Sequence, residues 1–287
     1  MTQKTDTFDL DCSILSDTVH KQQGGTCYAH TIATVLASAE RRIEGRIPKD
    51  HWTIVSEITE KHGFNGKNIS LVLEDECKKR QLRFEKVKTI EEAKDWIQKR
   101  HALTANFIIA ETQWQNLRQF LKREPHNVMT MNHLGESDAA SGKLHNHAVV
   151  IGGYDEKKKC WIIKNSWGKD SGYHGYWRVS VDHGLTFKFC HVYFELEDLT
   201  DDDLLSYVIK YGFNEEINSE LHKRGKIKEF EERYCDLLNQ KMLNKLCHIF
   251  KLLQTCIHAV TDPVDSGKKQ SKENRKNLKL RKLFSYK

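Results

Sequence analysis

The stretch Gln22-Gln23-Gly24-Gly25-Thr26-Cys27-Tyr28-Ala29-His30 decides how the rest of the chain is read. It sets a cysteine where a glycine-rich turn runs into a helix. Downstream, Ala29, Ile32, Ala33, Val35, Leu36, Ala39 and Ile43 recur at helical spacing. Thr26 is the expected N-cap, its hydroxyl accepting from a first-turn N–H. Cys27 then sits in the first turn, where unpaired N–H groups and the positive end of the helix dipole favour thiolate over thiol. Gly24 and Gly25 permit a close approach that bulkier residues forbid. Alone, such a cysteine reads equally well as a small buried hydrophobe.

Two later stretches change that balance. The first is Leu144-His145-Asn146-His147-Ala148-Val149-Val150-Ile151-Gly152-Gly153-Tyr154. The second is Trp161-Ile162-Ile163-Lys164-Asn165-Ser166-Trp167-Gly168, followed by Gly172-Tyr173-His174-Gly175-Tyr176-Trp177. Together the three stretches resemble the papain-like cysteine peptidases, over about residues 8–198. The order Cys27, His147, Asn165 matches the order in that family, and the His lies at the expected remove, on the order of 130 residues downstream. The resemblance implies an α+β fold of two lobes. An α-helical lobe at about residues 15–100 carries the cysteine helix, and a β-rich lobe at about residues 101–199 carries His and Asn.

The resemblance also implies roles. Cys27 is the expected nucleophile and His147 the acid and base. Asn165 accepts from the imidazole N–H and orients it, and Trp167 covers that bond from water. The family places its oxyanion glutamine six residues before the nucleophile, where this chain has Lys21; Gln22, or else Gln23, takes the role in a shortened loop. Gly63-Phe64-Asn65-Gly66-Lys67 corresponds to a Gly-Cys-Asn-Gly-Gly turn, and Gly66, His145 and Asn146 are the expected substrate-pocket residues. Tyr28 stands where a Trp is usual. No cofactor is expected.

Each residue also has a plainer reading. His147 is one of fifteen histidines and reads alone as a strand residue; Asn165 reads alone as a turn residue. His145 and His147 share a side of an extended strand and could hold a metal, but no acidic or cysteine ligand is near them in sequence. The conjunction of three stretches in family order outweighs these readings. A non-catalytic peptide- or protein-binding module, or a related acyl transferase such as a ligase or isopeptidase, is the alternative to a peptidase. The substrates expected are peptides or proteins.

The 287 residues have 38% hydrophobic content and only three prolines. Residues 1–16 are polar and lack the apolar core of a signal peptide, and no run reaches the roughly 18 apolar residues of a membrane span. Eight cysteines occur without Cys-x-x-Cys spacing. The cysteine that usually precedes the nucleophile is absent, and Phe64 replaces its partner. A reducing, cytoplasmic location without a disulfide framework is therefore expected, with nuclear location an alternative set by the tail.

Before Cys27 there is only a short lead-in. Helices are expected over residues 48–61 (with Trp52, Val55 and Ile58 inward), 71–80, 90–100 and 113–122. Strands are expected over residues 82–87, 105–110, 148–151, 160–163, 176–180 and 192–196, with residues 127–141 a loop. Beyond a catalytic domain of residues 1–199, residues 200–266 read as a helical extension, amphipathic from Glu229 to Val260. Residues 267–287 read as a basic, disordered tail. From residue 268 that tail holds nine lysines and arginines against one glutamate, whereas the whole chain carries +6, so residues 1–267 sum to −2. Acidic partners or nucleic acid are the tail's expected contacts.

Overall fold

The computed structural model describes residues 18–137, 142–182 and 185–261, the last seven without side chains. The lead-in with Cys12, the side chain of Cys256 and the basic tail lie outside the described residues. Helix α1 (Cys27–Arg41) buries every residue from Cys27 to Glu40. A helix enclosed on all sides must be apolar or small around its whole circumference, which accounts for Ala29, Ala33, Ala37 and Ala39 between Ile32, Val35 and Leu36. It packs on α2 (His51–His62), α3 (Ile69–Lys79) and the central strand β4 (Leu144–Asp155).

Seven strands form one sheet in the order β1-β7-β2-β4-β5-β6-β3. They are β1 (Arg83–Val87), β2 (Leu103–Ala110), β3 (Val128–Met129), β4, β5 (Cys160–Lys164), β6 (Tyr176–Ser180) and β7 (Lys188–Tyr193). All pairings are antiparallel except β3 with β6. β4 is the longest strand and pairs His147 with Phe107 of β2. α4 (Ile90–Gln98) and α5 (Glu111–Arg123) also pack against this sheet. Its core is formed by Phe107, Ile109, Val149, Ile151, Trp161, Ile163, Trp177 and Val179. The molecule is thus α+β, with a long C-terminal helix.

Several expectations are corrected. β1 pairs with β7, so the sheet begins before residue 100 and takes in α4 as well. The last strand lies at Lys188–Tyr193, not at 192–196; flanked on both sides by β1 and β2, it buries Cys190 and His191, which carry no strand pattern in the sequence. The stretch 127–141 holds β3 and a short helix, α6 (Met131–Leu134), rather than loop alone. On α2 the inward residues are Ile54, Val55 and Ile58, and Trp52 is largely exposed. The Thr26 hydroxyl caps no N–H; it donates to the Gln23 carbonyl at 2.8 Å.

α7 (Asp201–Tyr211) and α8 (Glu215–Lys223) belong to the same compact unit as the sheet, which runs to Ile227. Arg46 pairs with Asp203, and the Tyr207 hydroxyl donates to the Arg42 carbonyl at 3.1 Å. Arg224 donates to the carbonyls of Leu196 and Leu199. These helices are therefore not a separate extension. From Lys228 a second unit is formed by α9 (Ile227–Thr261). Leu238, Met242, Leu246, Ile249 and Phe250 are exposed along it. Among the described residues no helix is long and apolar enough to cross a membrane.

Candidate active site

Cys27 opens α1, His147 lies in the exposed-to-buried first half of β4, and Asn165 follows the end of β5. The packing of α1 on β4 brings the first two together. The backbone N–H of Ala148, one residue past His147, favours the Cys27 thiolate, as do the N–H groups of Tyr28 and of Cys27 itself. These three donors lower the thiol pKa, but burial dominates and holds it above the ordinary value. The expectation that the helix start alone favours the thiolate is corrected: only 7% of Cys27 is exposed, and desolvation outweighs the helix end.

The imidazole is fully enclosed. His147 Nε2 donates to Asn165 Oδ1 at 2.9 Å, and that oxygen also accepts the Ser166 N–H at 2.9 Å. This bond fixes the tautomer, leaving Nδ1 as the basic nitrogen. The Trp167 ring lies 4.8 Å from the imidazole, Trp114 packs edge-on at 5.5 Å and Phe107 at 5.8 Å. Burial in this aromatic cage drives the His147 pKa down to about 4, against the upward pull of the Asn165 bond. Trp114 and Phe107 read in the sequence only as helix and strand core; they reach His147 from α5 and β2, which only the sheet order brings near.

The Asn165 turn is tied down from two directions. The Asn165 N–H donates to the Gly175 carbonyl at 2.9 Å, and the Gln22 N–H donates to the Ser166 carbonyl at 2.7 Å. The side chain of Gln22 joins the same turn. Its Oε1 accepts the Ser166 hydroxyl at 2.6 Å, and its Nε2 donates to the Gly24 carbonyl at 2.7 Å. A carboxamide has two N–H donors, so one remains beyond the bond to Gly24. Gln23 is exposed, and its backbone carbonyl serves Thr26.

A cleft of about 740 Å³ opens at Cys27 and is lined by Gly66, Asn146 and Ala148 among others. His145 is not among them. It lies on the same side of β4 as His147, stacked on Trp114 with ring centroids 4.9 Å apart, and bonds Glu111 Oε2 at 2.7 Å. The expected pocket role for His145 is thus corrected by the alternation of the strand; its place is beside the imidazole cage. Nor do His145 and His147 share a ligand, since each is committed to a different partner. Among the described residues His62, Asp75 and Glu76 bring possible metal-ligand atoms within 4.8 Å of one another. Lys61 and Arg80 already pair with those two carboxylates, and none of the three residues lines the cleft.

The glycine-rich turn touches the cleft wall. A Cβ on Gly25 would lie 2.9 Å from Gly66 N and 3.2 Å from Phe64 O, both backbone atoms that cannot swing aside. The Tyr28 hydroxyl donates to the Gly63 carbonyl at the other end of that wall. Gly25→Ala is therefore expected to displace the 63–67 wall and to cost about 1–3 kcal/mol through overpacking. A thermal melt beside wild type checks it, and an unchanged midpoint would show that the wall gives freely.

The family profile described as papain family cysteine protease matches residues 44–195, just over half of the chain. The chain belongs to the papain family of cysteine proteases. The match starts downstream of Cys27, which is placed by the packing of α1 on β4. A stretch of 42 residues is 55% identical to a cysteine proteinase of Theileria parva, covering 13% of this chain and 10% of that protein. A stretch of 54 residues is 44% identical to ananain of Ananas comosus, covering 18% of this chain and 16% of that one. The chain thus matches only a small part of the length of these curated relatives. A solved bromelain structure from Ananas comosus superimposes with a TM-score of 0.48 at 16% identity, over 64% of this chain and 96% of that one. Xylellain from Xylella fastidiosa gives 0.43 at 17%, over 63% and 84%.

Proposed function

We propose that the protein is a cysteine endopeptidase in which Cys27, His147 and Asn165 form the catalytic group and Gln22 completes the oxyanion hole. The observation that carries this reading is the hydrogen bond from His147 to Asn165 within an aromatic cage, on the strand against which the Cys27 helix packs. Burial keeps both thiol and imidazole neutral at rest, so His147 acts first as a base. Its Nδ1 takes the thiol proton as the sulfur attacks the scissile carbonyl. The negative oxygen that forms is met by the Cys27 N–H and the free N–H of Gln22. His147, now an imidazolium, gives its proton to the leaving amine. Water, deprotonated by the same imidazole, then cleaves the thioester and restores the thiol.

The raised thiol pKa favours one competing reading, a binding module that keeps the fold without turnover. A pooled fluorogenic peptide library under reducing conditions separates the two. Wild type is expected to turn over a subset of peptides, and Cys27→Ala to lose at least about 10³-fold, the scale on which removal of a catalytic nucleophile acts. Equal turnover by both proteins, or none by a folded wild type, would overturn the peptidase reading.

A regulatory or localising role is expected from the sequence for residues 200–287; since residues 200–227 belong to the first unit, we propose it for the part after residue 227, supported by the separate unit it forms and the exposed apolar side chains of its described residues.

A further inference from the structure

The cleft at Cys27 has an uneven lining. Part of it, taken as its floor, is apolar: buried Ala148 and Phe189, with the half-exposed Ile108 beside them. Lys67, Lys86, Lys88 and Lys188 also line it, all four exposed, and among the described residues no aspartate or glutamate does. These lysines come from three separate places in the chain: the loop before α3, the end of β1 and β7. None of the four ammonium groups is held in an ion pair with another described residue. The concentration is not the overflow of a basic chain, because residues 1–267 sum to −2. Like charges gathered around a low-dielectric floor focus a positive potential into the cleft.

The two sides of the nucleophile can be told apart by the chemistry. His147 must reach the leaving amine, and Trp167 and Trp114, which flank it, line a second cleft of about 560 Å³ together with Gln22. The departing portion of a substrate therefore lies over that side. The acyl portion stays bonded to sulfur and occupies the cleft that contains Cys27 and the lysines.

We propose that the enzyme selects substrates with an aspartate or glutamate shortly before the scissile bond. Their methylenes lie on the floor at Ile108, Ala148 and Phe189, and their carboxylates meet the lysines. The proposal rests on the peptidase reading for its catalytic half but can be tested without turnover.

Matched peptides carrying Glu, Gln or Lys at the second and third residues before the bond serve both arms. One arm measures kcat/KM with wild type. The other measures binding of the fluorescein-labelled peptides to Cys27→Ala protein. In both, Glu is expected to exceed Gln by about tenfold at low salt, a ratio that shrinks as ionic strength rises to about 0.5 M. Lys86→Gln, Lys88→Gln and Lys188→Gln combined are expected to bring the Glu-to-Gln ratio close to one, and the corresponding arginine substitutions to retain it. A Glu-to-Gln binding ratio of one or less in Cys27→Ala protein overturns the proposal, whatever the turnover. Selective binding of Glu peptides without any turnover by wild type sustains it and overturns the peptidase reading instead. Turnover of Gln and Glu peptides at equal rates does the reverse.

Discussion

Folding stability is expected to fall by several kcal/mol as pH drops from 6.5 to 4. His30, His147 and His191 are 3%, 2% and 0% exposed, and each is pushed down to about 4. Desolvation is the main cause in all three. At His30 the nearby His20 and Lys164 add to it, while Arg42 and Lys99 do so at His191. The surroundings offer little relief. His30 Nδ1 lies 2.9 Å from His51 Nε2, and His20 stacks on His51 with centroids 4.0 Å apart. His191 faces His101 at 2.6 Å and the Trp96 ring at 3.9 Å; Glu85 lies 3.2 Å away, and Glu92 pulls its pKa up without overcoming burial.

In the unfolded chain these histidines take up protons near pH 6.5. Between the two values the unfolded state binds more protons, so stability is whole above 6.5 and is lost as pH falls toward 4. The upper bound is roughly 3.5 kcal/mol per histidine, at about 1.4 kcal/mol for each unit of pKa difference. Three such groups rival the roughly 5–15 kcal/mol that holds a typical domain folded. Urea titrations at pH 7.5, 6 and 5 measure the effect, and His191→Gln should lower the pH slope by close to one proton. A midpoint that stays level across that range would mean the histidines ionise freely in the folded protein.

Gln22→Ala is expected to lower kcat by about 10²–10³ with little change in KM, the loss typical of one oxyanion donor. Ser166 grips Oε1 and Gly24 takes one N–H, so the amide is oriented before substrate arrives. Such preorganisation is what makes a donor count in the transition state rather than in binding. Ser166→Ala, which frees the amide without removing it, is expected to cost less than Gln22→Ala. Steady-state kinetics on a peptide that wild type cleaves decides the matter. If Gln22→Ala remains within about threefold of wild type, the oxyanion is served by the Cys27 N–H and not by this side chain.

What was legible in the sequence follows from how far each signal reaches along the chain. α1 was plain, because a small-and-apolar helix announces its own period. Cys27, His147 and Asn165 were legible as three short stretches in a known order, and the turn around Asn165 carries its own marker in Ser166-Trp167-Gly168. Their surroundings were not. Trp114 belongs to an ordinary helical stripe until the sheet order sets α5 beside β4. Ser166 was read only as part of a motif, and nothing local announces its grip on Gln22 from 144 residues away. β7 was displaced because a strand lodged between two others needs no alternation, and its buried residues are Cys190 and His191. The sequence also overstated the helix end at Cys27. Dipole and unpaired N–H groups are local and readable, whereas the desolvation that overrides them is set by the walls of the cleft.

The enclosure of α1 bears on where motion in this molecule can arise. A helix with every residue but its last turned into the interior opens only when the whole unit opens. Cys27 is thus mounted on a helix buried along nearly its whole length. Adjustment to a substrate falls instead to the pieces that border the cleft from outside: the glycine-rich turn before Cys27, the Gly63–Lys67 wall and the lysine-bearing ends of β1 and β7. On the peptidase reading, rigidity at the sulfur and compliance at the rim divide the work of catalysis from the work of selection. Changes on the rim would then retune which peptides enter without disturbing α1 or the turn at Asn165.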